Sequence, residues 1–137
     1  MKKLLFTLSI ALCSIYSFSQ VTFDAQNNGF IKNKAGFNGY VNKNISKSMI
    51  DSSNMISFNE TQLNNQLRIV SFELTIVKNK QAPLTFVNNK DGQLSEEMKA
   101  ALKKLSSGNK IYIEKIKIVA KDNKMYSLFA TDYIIAD

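Results

Sequence analysis

Residues 70–77, Val-Ser-Phe-Glu-Leu-Thr-Ile-Val, begin the stretch of sequence that decides the fold. Apolar and polar residues alternate along them, so Val70, Phe72, Leu74 and Ile76 are expected to point the same way. Such alternation is typical of a β-strand that buries one face. The stretch therefore indicates a sheet with a core on one side.

A short strand, a turn and a helix are predicted next. Residues 84–87 form a short apolar run, and Asn-Asn-Lys-Asp-Gly at residues 88–92 predicts a turn, because Asn, Asp and Gly tolerate positive φ angles. Ser95 is a good N-cap for a helix that Gly108 ends, since glycine suits a left-handed exit. Four apolar residues recur at helical spacing and predict that this helix lies on a sheet: Met98, Ala101, Leu102 and Leu105.

The strand predicted from residue 110 onward changes phase. Its isoleucines fall on two different faces of a regular strand: Ile111 and Ile113 on one, Ile116 and Ile118 on the other. A β-bulge near residues 114–115 would bring all of them inward. The alternative is a strand covered on both faces.

The last strand is predicted to span residues 125–136, after a hairpin turn at residues 121–124. Asp132 interrupts its apolar pattern. We expect Asp132 to be exposed at a sheet edge, where a charge discourages aggregation.

Residues 45–51 are ambiguous between a loop and one helical turn. Ser46 is expected to cap such a turn, with Met49 and Ile50 facing inward.

Residues 27–44 are rich in Asn, Gly and Lys, and their Asn-Gly pairs predict hairpin turns. Three aromatic residues lie among them: Phe30, Phe37 and Tyr40. These rings either anchor the turns to the core or form a binding loop that contacts a partner. We treat them as candidate partner contacts.

These elements predict a mainly β fold. Several strands, one helix and short turns favour a small immunoglobulin-like β-sandwich with one short helix across one opening. A chain of this length suits a single domain with one modest core.

The central region resembles the C-terminal domain of GldM, a gliding-motility and type IX secretion protein of Bacteroidetes. The resemblance rests on Ile-Val-Ser-Phe at residues 69–72, the Asn-Asn-Lys-Asp-Gly turn, Leu-Ser-x-x-Met-Lys at residues 94–99, and Gly-x-Lys-Ile-Tyr-Ile-x-x-Ile at residues 108–116. It covers roughly residues 45–135. The resemblance implies a small β-sandwich that contacts other envelope proteins, because the periplasmic arm of GldM reaches from an inner-membrane motor to an outer-membrane ring.

The N-terminus is typical of a secretory signal peptide at residues 1–19. Two lysines precede a short apolar run, and small residues favour cleavage before Gln20. The mature chain is expected to be one exported, stand-alone domain at residues 20–137, located in the periplasm and without a transmembrane segment. Lipid attachment at Cys13 is disfavoured by Leu12, where a small residue is required, and an extracellular location is also disfavoured.

The chain carries a formal net charge of +7, mostly from scattered lysines. Arg68 is its only arginine, whereas nucleic-acid sites usually combine arginine with aromatic residues. We expect a solvated basic surface and no nucleic acid. An acidic partner surface or anionic lipids are the alternatives.

The residue types that most catalysis requires are scarce. There is no histidine, and Cys13 is the only cysteine, so the usual bases, thiol nucleophiles and transition-metal ligands are missing. Glu73 and Glu114 could face each other across two strands, but we interpret them as a solvent-side pair accompanied by lysines. No catalytic, metal or cofactor site is predicted.

The sequence therefore favours a non-catalytic, exported module that binds envelope proteins as an accessory of the gliding or secretion machinery. Besides the aromatic loop, Lys99 and Lys103 on the outer side of the helix are candidate partner contacts. A small-ligand or lipid-binding envelope protein is the alternative, and a carboxylate-based hydrolase is the least favoured function.

Overall fold

The computed structural model describes residues 30–31 and 34–137. The predicted signal peptide, its cleavage site and Cys13 lie outside these described residues. The elements in chain order are β1 Phe30–Ile31, β2 Ala35–Phe37, β3 Asn44–Ser46, α1 Lys47–Ser52, β4 Ile56–Phe58, α2 Thr61–Asn64, β5 Leu67–Val77, β6 Leu84–Asn88, α3 Glu96–Lys103, β7 Lys110–Ala120, β8 Met125–Leu128 and β9 Thr131–Ala136.

The fold is mainly β and sandwich-like, as predicted. The long strands β5 and β7 pair antiparallel along most of their length at the centre of a seven-stranded sheet. Strand β6 pairs with the other side of β5, while β8 and β9 share the other side of β7. Strands β1 and β3 extend the sheet by parallel pairing with β8 and β9. Strands β2 and β4 form a second, antiparallel sheet.

Buried side chains from both sheets and all three helices of the described residues form one core cluster. Its fully buried members include Ile45, Ile56, Leu74, Met98 and Tyr133. Contacts also tie the two sheets together directly, since the hydroxyl of Thr131 in β9 donates a hydrogen bond to the backbone oxygen of Ala35 in β2, at 2.8 Å. Among the described residues, no helix is long and apolar enough to cross a membrane.

The predicted bulge in β7 is confirmed. Glu73 lies opposite Glu114 and Ser71 lies opposite Lys117, so β7 contains one more residue than β5 between these two pairs. Lys115 has a φ of 50°, which is unusual for a residue with a side chain. The phase change brings all the isoleucines of the strand into the core, each with 0% exposure: Ile111, Ile113, Ile116 and Ile118.

The prediction of unbroken alternation in β5 is wrong at its start. Ile69 is buried, Val70 is only half-buried and Phe72 is buried again. The register with β7 shifts between Ile69 and Ser71, in the opposite sense to the shift in β7. The strand therefore has an irregularity of its own, which restores the register beyond the bulge.

Helix α3 begins as predicted. The hydroxyl of Ser95 accepts a hydrogen bond from the backbone N–H of Met98 at 3.2 Å. Its stripe lies on the core, since Met98, Leu102 and Leu105 are buried. The helix ends at Lys103, earlier than predicted. Gly108 has a φ of +83° in the turn that leads to β7, so its left-handed backbone serves that turn and does not end the helix.

Helix α1 confirms the N-cap prediction and corrects one of its contacts. The hydroxyl of Ser46 accepts a hydrogen bond from the N–H of Met49 at 3.3 Å, and Ile50 is buried. Met49 is 37% exposed, so the prediction that it faces inward is wrong. One turn of helix can turn only part of its surface to the core, and Ile50 occupies that part.

The predicted last strand is divided in two. Phe129 and Ala130 separate β8 from β9, and the two strands pair with different halves of β7. Strand β3 pairs only with residues 134–136 of β9, so Asp132 lies on a stretch of β9 that pairs with β7 alone. Its side chain is 48% exposed, in agreement with the prediction, and its carboxylate is 3.6 Å from the amine of Lys43.

The predicted turn at residues 88–92 is present, but side-chain hydrogen bonds stabilise it, not residues with positive φ angles. Its residues have no positive φ angles. The side-chain oxygens of Asn88 and Asp91 accept hydrogen bonds from the N–H groups of Lys90 and Gln93, at 2.9 and 2.8 Å. Such side-chain bonds stabilise turns without left-handed residues.

Candidate functional site

The segment from Ala35 to Tyr40, here called the aromatic hairpin, is held against the core. A turn at Asn38 and Gly39, with φ angles of 47° and 83°, joins Phe37 to Tyr40. Phe37 is 1% exposed, and its ring lies 5.3 Å from the ring of Tyr133. Its side chain therefore anchors the hairpin, which agrees with the first of the two interpretations given above.

Tyr40 is half-buried, and its hydroxyl donates a hydrogen bond to the backbone oxygen of Asn44 at 2.8 Å. Phe30 lies in β1, which pairs with β8 in the large sheet, whereas Phe37 belongs to the small sheet. The structure therefore places Phe30 and Phe37 in different sheets. A contact between this region and a partner stays a prediction.

Tyr133 makes the central polar contact of the hairpin. Its hydroxyl accepts a hydrogen bond from the N–H of Phe37 at 3.1 Å and donates one to the backbone oxygen of Tyr40. Burial raises the pKa of Tyr133 above its ordinary value, and the bond from Phe37 opposes this effect only in part. The hydroxyl is therefore neutral and holds two strands together.

Lys99 and Lys103 border a cleft of about 260 Å³ between α1 and α3. The amine of Lys99 is 3.2 Å from a carboxylate oxygen of Glu96, one turn earlier on the same helix. Asp51 on α1 also lines the cleft. The cleft has mixed charge, and its use by a partner stays a prediction.

Glu73 and Glu114 are directly opposite each other, as the sequence suggested. The amine of Lys115 is 3.0 Å from a carboxylate oxygen of Glu73, and Lys115 itself is largely exposed. The side chain of Glu73 is only 23% exposed, so the two carboxylates and the lysine form a partly buried charge cluster on one face of the sheet. Within the described residues, no group of three or more His, Cys, Asp or Glu is placed to hold a metal ion.

A second and larger cleft was not predicted. It has a volume of about 460 Å³ and lies between β6 and α3. Leu84 and Phe86 line it from the strand, and Ala100 and Ala101 line it from the helix. Its charged lining residues are Lys78, Glu97 and Lys104. We refer to it as the β6–α3 groove.

The sequence contained one signal for this groove. The run of residues 84–87 has no charged side chain, although Lys78, Lys80 and Lys90 precede and follow it. The position of this run beside Ala100 could not be inferred from the sequence, because that contact depends on how helix α3 crosses the sheet.

The comparison with protein families extends the resemblance noted in the sequence. The family model described as the GldM C-terminal domain matches residues 21–128, which is most of the chain. The match includes the aromatic hairpin, both long strands and helix α3, and it ends before β9. A comparison with curated proteins found no match.

Proposed function

Because the chain belongs to the family of the GldM C-terminal domain, we propose that it is a non-catalytic, exported module that binds proteins of the bacterial envelope. The family is associated with gliding motility and type IX secretion. The module would act as an accessory of that machinery, in contact with its outer-membrane components. The family match over residues 21–128 is the observation that carries this proposal.

A binding role agrees with the residue types that the chain contains. It has no histidine, and its one cysteine, Cys13, lies in the predicted signal peptide. Glu73 and Glu114 are opposite each other on β5 and β7 and are half-buried, the amine of Lys115 is bonded to Glu73, and neither glutamate lines the two clefts described above. General acid–base chemistry usually requires a carboxylate in a desolvated cleft, where its pKa is shifted.

A periplasmic location is proposed on the basis of the N-terminal sequence. Two lysines, a short apolar run and a small-residue cleavage site are typical of an export signal. The mature chain would contain no cysteine, and export without disulfide bonds fits a bacterial envelope better than a eukaryotic secreted protein.

Affinity co-purification from the host's own envelope tests this proposal. The mature protein, with a C-terminal tag, would be recovered after cross-linking of intact cells. An unrelated exported β-domain with the same tag and a similar net charge is the matched control. We expect components of outer-membrane secretion or gliding to be enriched over this control. A folded monomer that recovers nothing above the control would overturn the proposal.

A small-ligand or lipid carrier is the alternative function that the sequence leaves open. Such proteins enclose an apolar cavity that buries most of the ligand. The two clefts described above are open to solvent and carry charged side chains. No observation favours the carrier over the binding module.

A further inference from the structure

Strand β6 is an open edge of the large sheet. Among the described strands, it pairs only with β5. Its sequence, Leu-Thr-Phe-Val-Asn, contains no charged residue and no proline. Sheet edges are usually protected by lysine, proline, a bulge or a covering loop, because their free N–H and C=O groups can pair with another chain. Leu84 and Val87, on opposite faces of this strand, are 51% and 59% exposed.

The β6–α3 groove lies directly beside this edge. Leu84 and Phe86 point into it from β6, and the small side chains of Ala100 and Ala101 leave it unfilled from the helix. A strand added to β6 would turn every second side chain towards the groove, because side chains alternate between the two faces of a sheet. The edge therefore offers backbone pairing, and the groove offers an apolar pocket, as in recognition by strand addition.

The charges of the groove differ between its two ends. Helix α3 starts near Asn88, the last residue of β6, because the side chain of Asn88 donates a hydrogen bond to the backbone oxygen of Gln93. The other end of the helix leads to β7, which begins opposite Val77, just before the turn to β6. Glu97 therefore lies near the end of β6, and Lys104 lies near its start, where Lys78 is also found. Within the described part of the chain, neither lysine has a carboxylate within salt-bridge distance.

We propose that the edge of β6 and the β6–α3 groove bind an extended segment of a partner protein. The segment has apolar residues at alternate positions, and acidic residues at the end that lies beside Lys78 and Lys104. This inference rests on the proposed binding function and names the surface and the chemistry of the partner.

A second copy of this chain fits the same edge less well. Antiparallel pairing of two β6 strands about Phe86 would bring Lys80 of one copy towards Lys90 of the other. Like charges that face each other across an interface disfavour association. The net charge of +7 adds to that repulsion.

Site-specific photo-cross-linking in host cells tests the proposal. Benzoylphenylalanine would replace Leu84 in the full chain. The control protein would carry it at Met125, which is 60% exposed and lies on β8, separated from β6 by β7 and β5. Thermal melting of the purified proteins would verify that both fold. Peptide mass spectrometry would then give the sequence of the segment attached at each position.

Charge reversal tests the predicted chemistry in the same assay. The Lys78→Glu and Lys104→Glu substitutions would be combined with the cross-linker at position 84. Lys117→Glu with Lys121→Glu is the matched control, because these exposed lysines lie on β7 and in the turn after it, do not line the groove, and give the same change in net charge. We expect the first pair to reduce the cross-linking yield on the order of tenfold, since two attractive contacts become repulsive. The control pair should leave the yield unchanged.

The outcomes separate this proposal from the proposed function. Attachment of an acidic segment with alternating apolar residues, at position 84 and not at position 125, supports the inference. Attachment to a second copy of this chain, or equal yields at both positions, overturns it. A yield that is insensitive to Lys78→Glu with Lys104→Glu also overturns the acidic partner. If envelope machinery co-purifies while position 84 attaches nothing, the binding function stands and this surface is wrong.

Discussion

Replacement of Tyr133 by Phe removes one hydroxyl group that two backbone groups share. Without it, the buried N–H of Phe37 loses its acceptor and the oxygen of Tyr40 loses its donor. An unsatisfied buried polar group costs about 1–3 kcal/mol, so Tyr133→Phe should lower the free energy of unfolding by about 3 kcal/mol. For a domain of this size, the melting temperature should fall by roughly 10 °C.

The loss should depend on pH in a defined direction. Burial raises the pKa of Tyr133 in the folded chain, while the unfolded chain keeps the ordinary value near 10. The stabilisation from the neutral hydroxyl is therefore complete below about pH 10 and decreases as the pH rises further, because only the unfolded chain ionises. Above about pH 10, the difference in free energy of unfolding between the wild type and the variant should decrease by about 1 kcal/mol per pH unit.

Urea unfolding at a series of pH values measures both effects. Tyr112→Phe is the matched control, because Tyr112 is half-buried and, within the described residues, its hydroxyl has no hydrogen bond. The control should change the free energy of unfolding by less than about 0.5 kcal/mol. If Tyr133→Phe is equally mild, or if its effect is the same at all pH values, the hydroxyl does not hold the hairpin to β9.

Three further predictions concern a close contact, the bulge and the helix surface. Gly92→Ala would place a methyl group 2.5 Å from a backbone oxygen of β4, so it should lower the free energy of unfolding in urea by about 3 kcal/mol. Gly108→Ala is the control at an open position with positive φ, and it should cost only about 1 kcal/mol. Equal losses would contradict the close contact between Gly92 and β4. Lys115→Val should lower the melting temperature, because a β-branched residue is strained at a φ of 50°, whereas Lys115→Gly should not; similar melting curves would argue against the bulge. Lys99→Glu with Lys103→Glu should leave melting unchanged and reduce partner recovery only if this helix surface contacts the partner, so full recovery would exclude it as a contact.

The bulge in β7 could be predicted because the sequence leaves little choice. Isoleucines at 111, 113, 116 and 118 cannot share a face in a regular strand, and each is buried. The compensating irregularity in β5 could not be predicted, since Ile69 and Val70 are both apolar and either phase satisfies the pattern. The register with β7 decides between them, and that register is a tertiary contact.

The division between β8 and β9 and the β6–α3 groove depend on packing between segments that are distant in sequence. Residues 125–136 are mostly apolar, and the break at Phe129 arises because two strands share one side of β7. The groove exists because Ala100 lies across from Leu84. Phe30, Phe37 and Tyr40 are aromatic residues in a glycine-rich segment, and this pattern fits both anchoring to the core and contact with a partner.

Quantitative recovery of partners from the envelope measures whether the protein binds them specifically. Recovery of secretion or gliding components would be measured for the wild type, for Lys78→Glu with Lys104→Glu, and for Lys117→Glu with Lys121→Glu. The expected result is strong enrichment for the wild type, a large loss for the Lys78→Glu, Lys104→Glu variant, and recovery at the wild-type level for the Lys117→Glu, Lys121→Glu variant. Equal recovery from all three proteins, at the level of an unrelated exported domain, would contradict it.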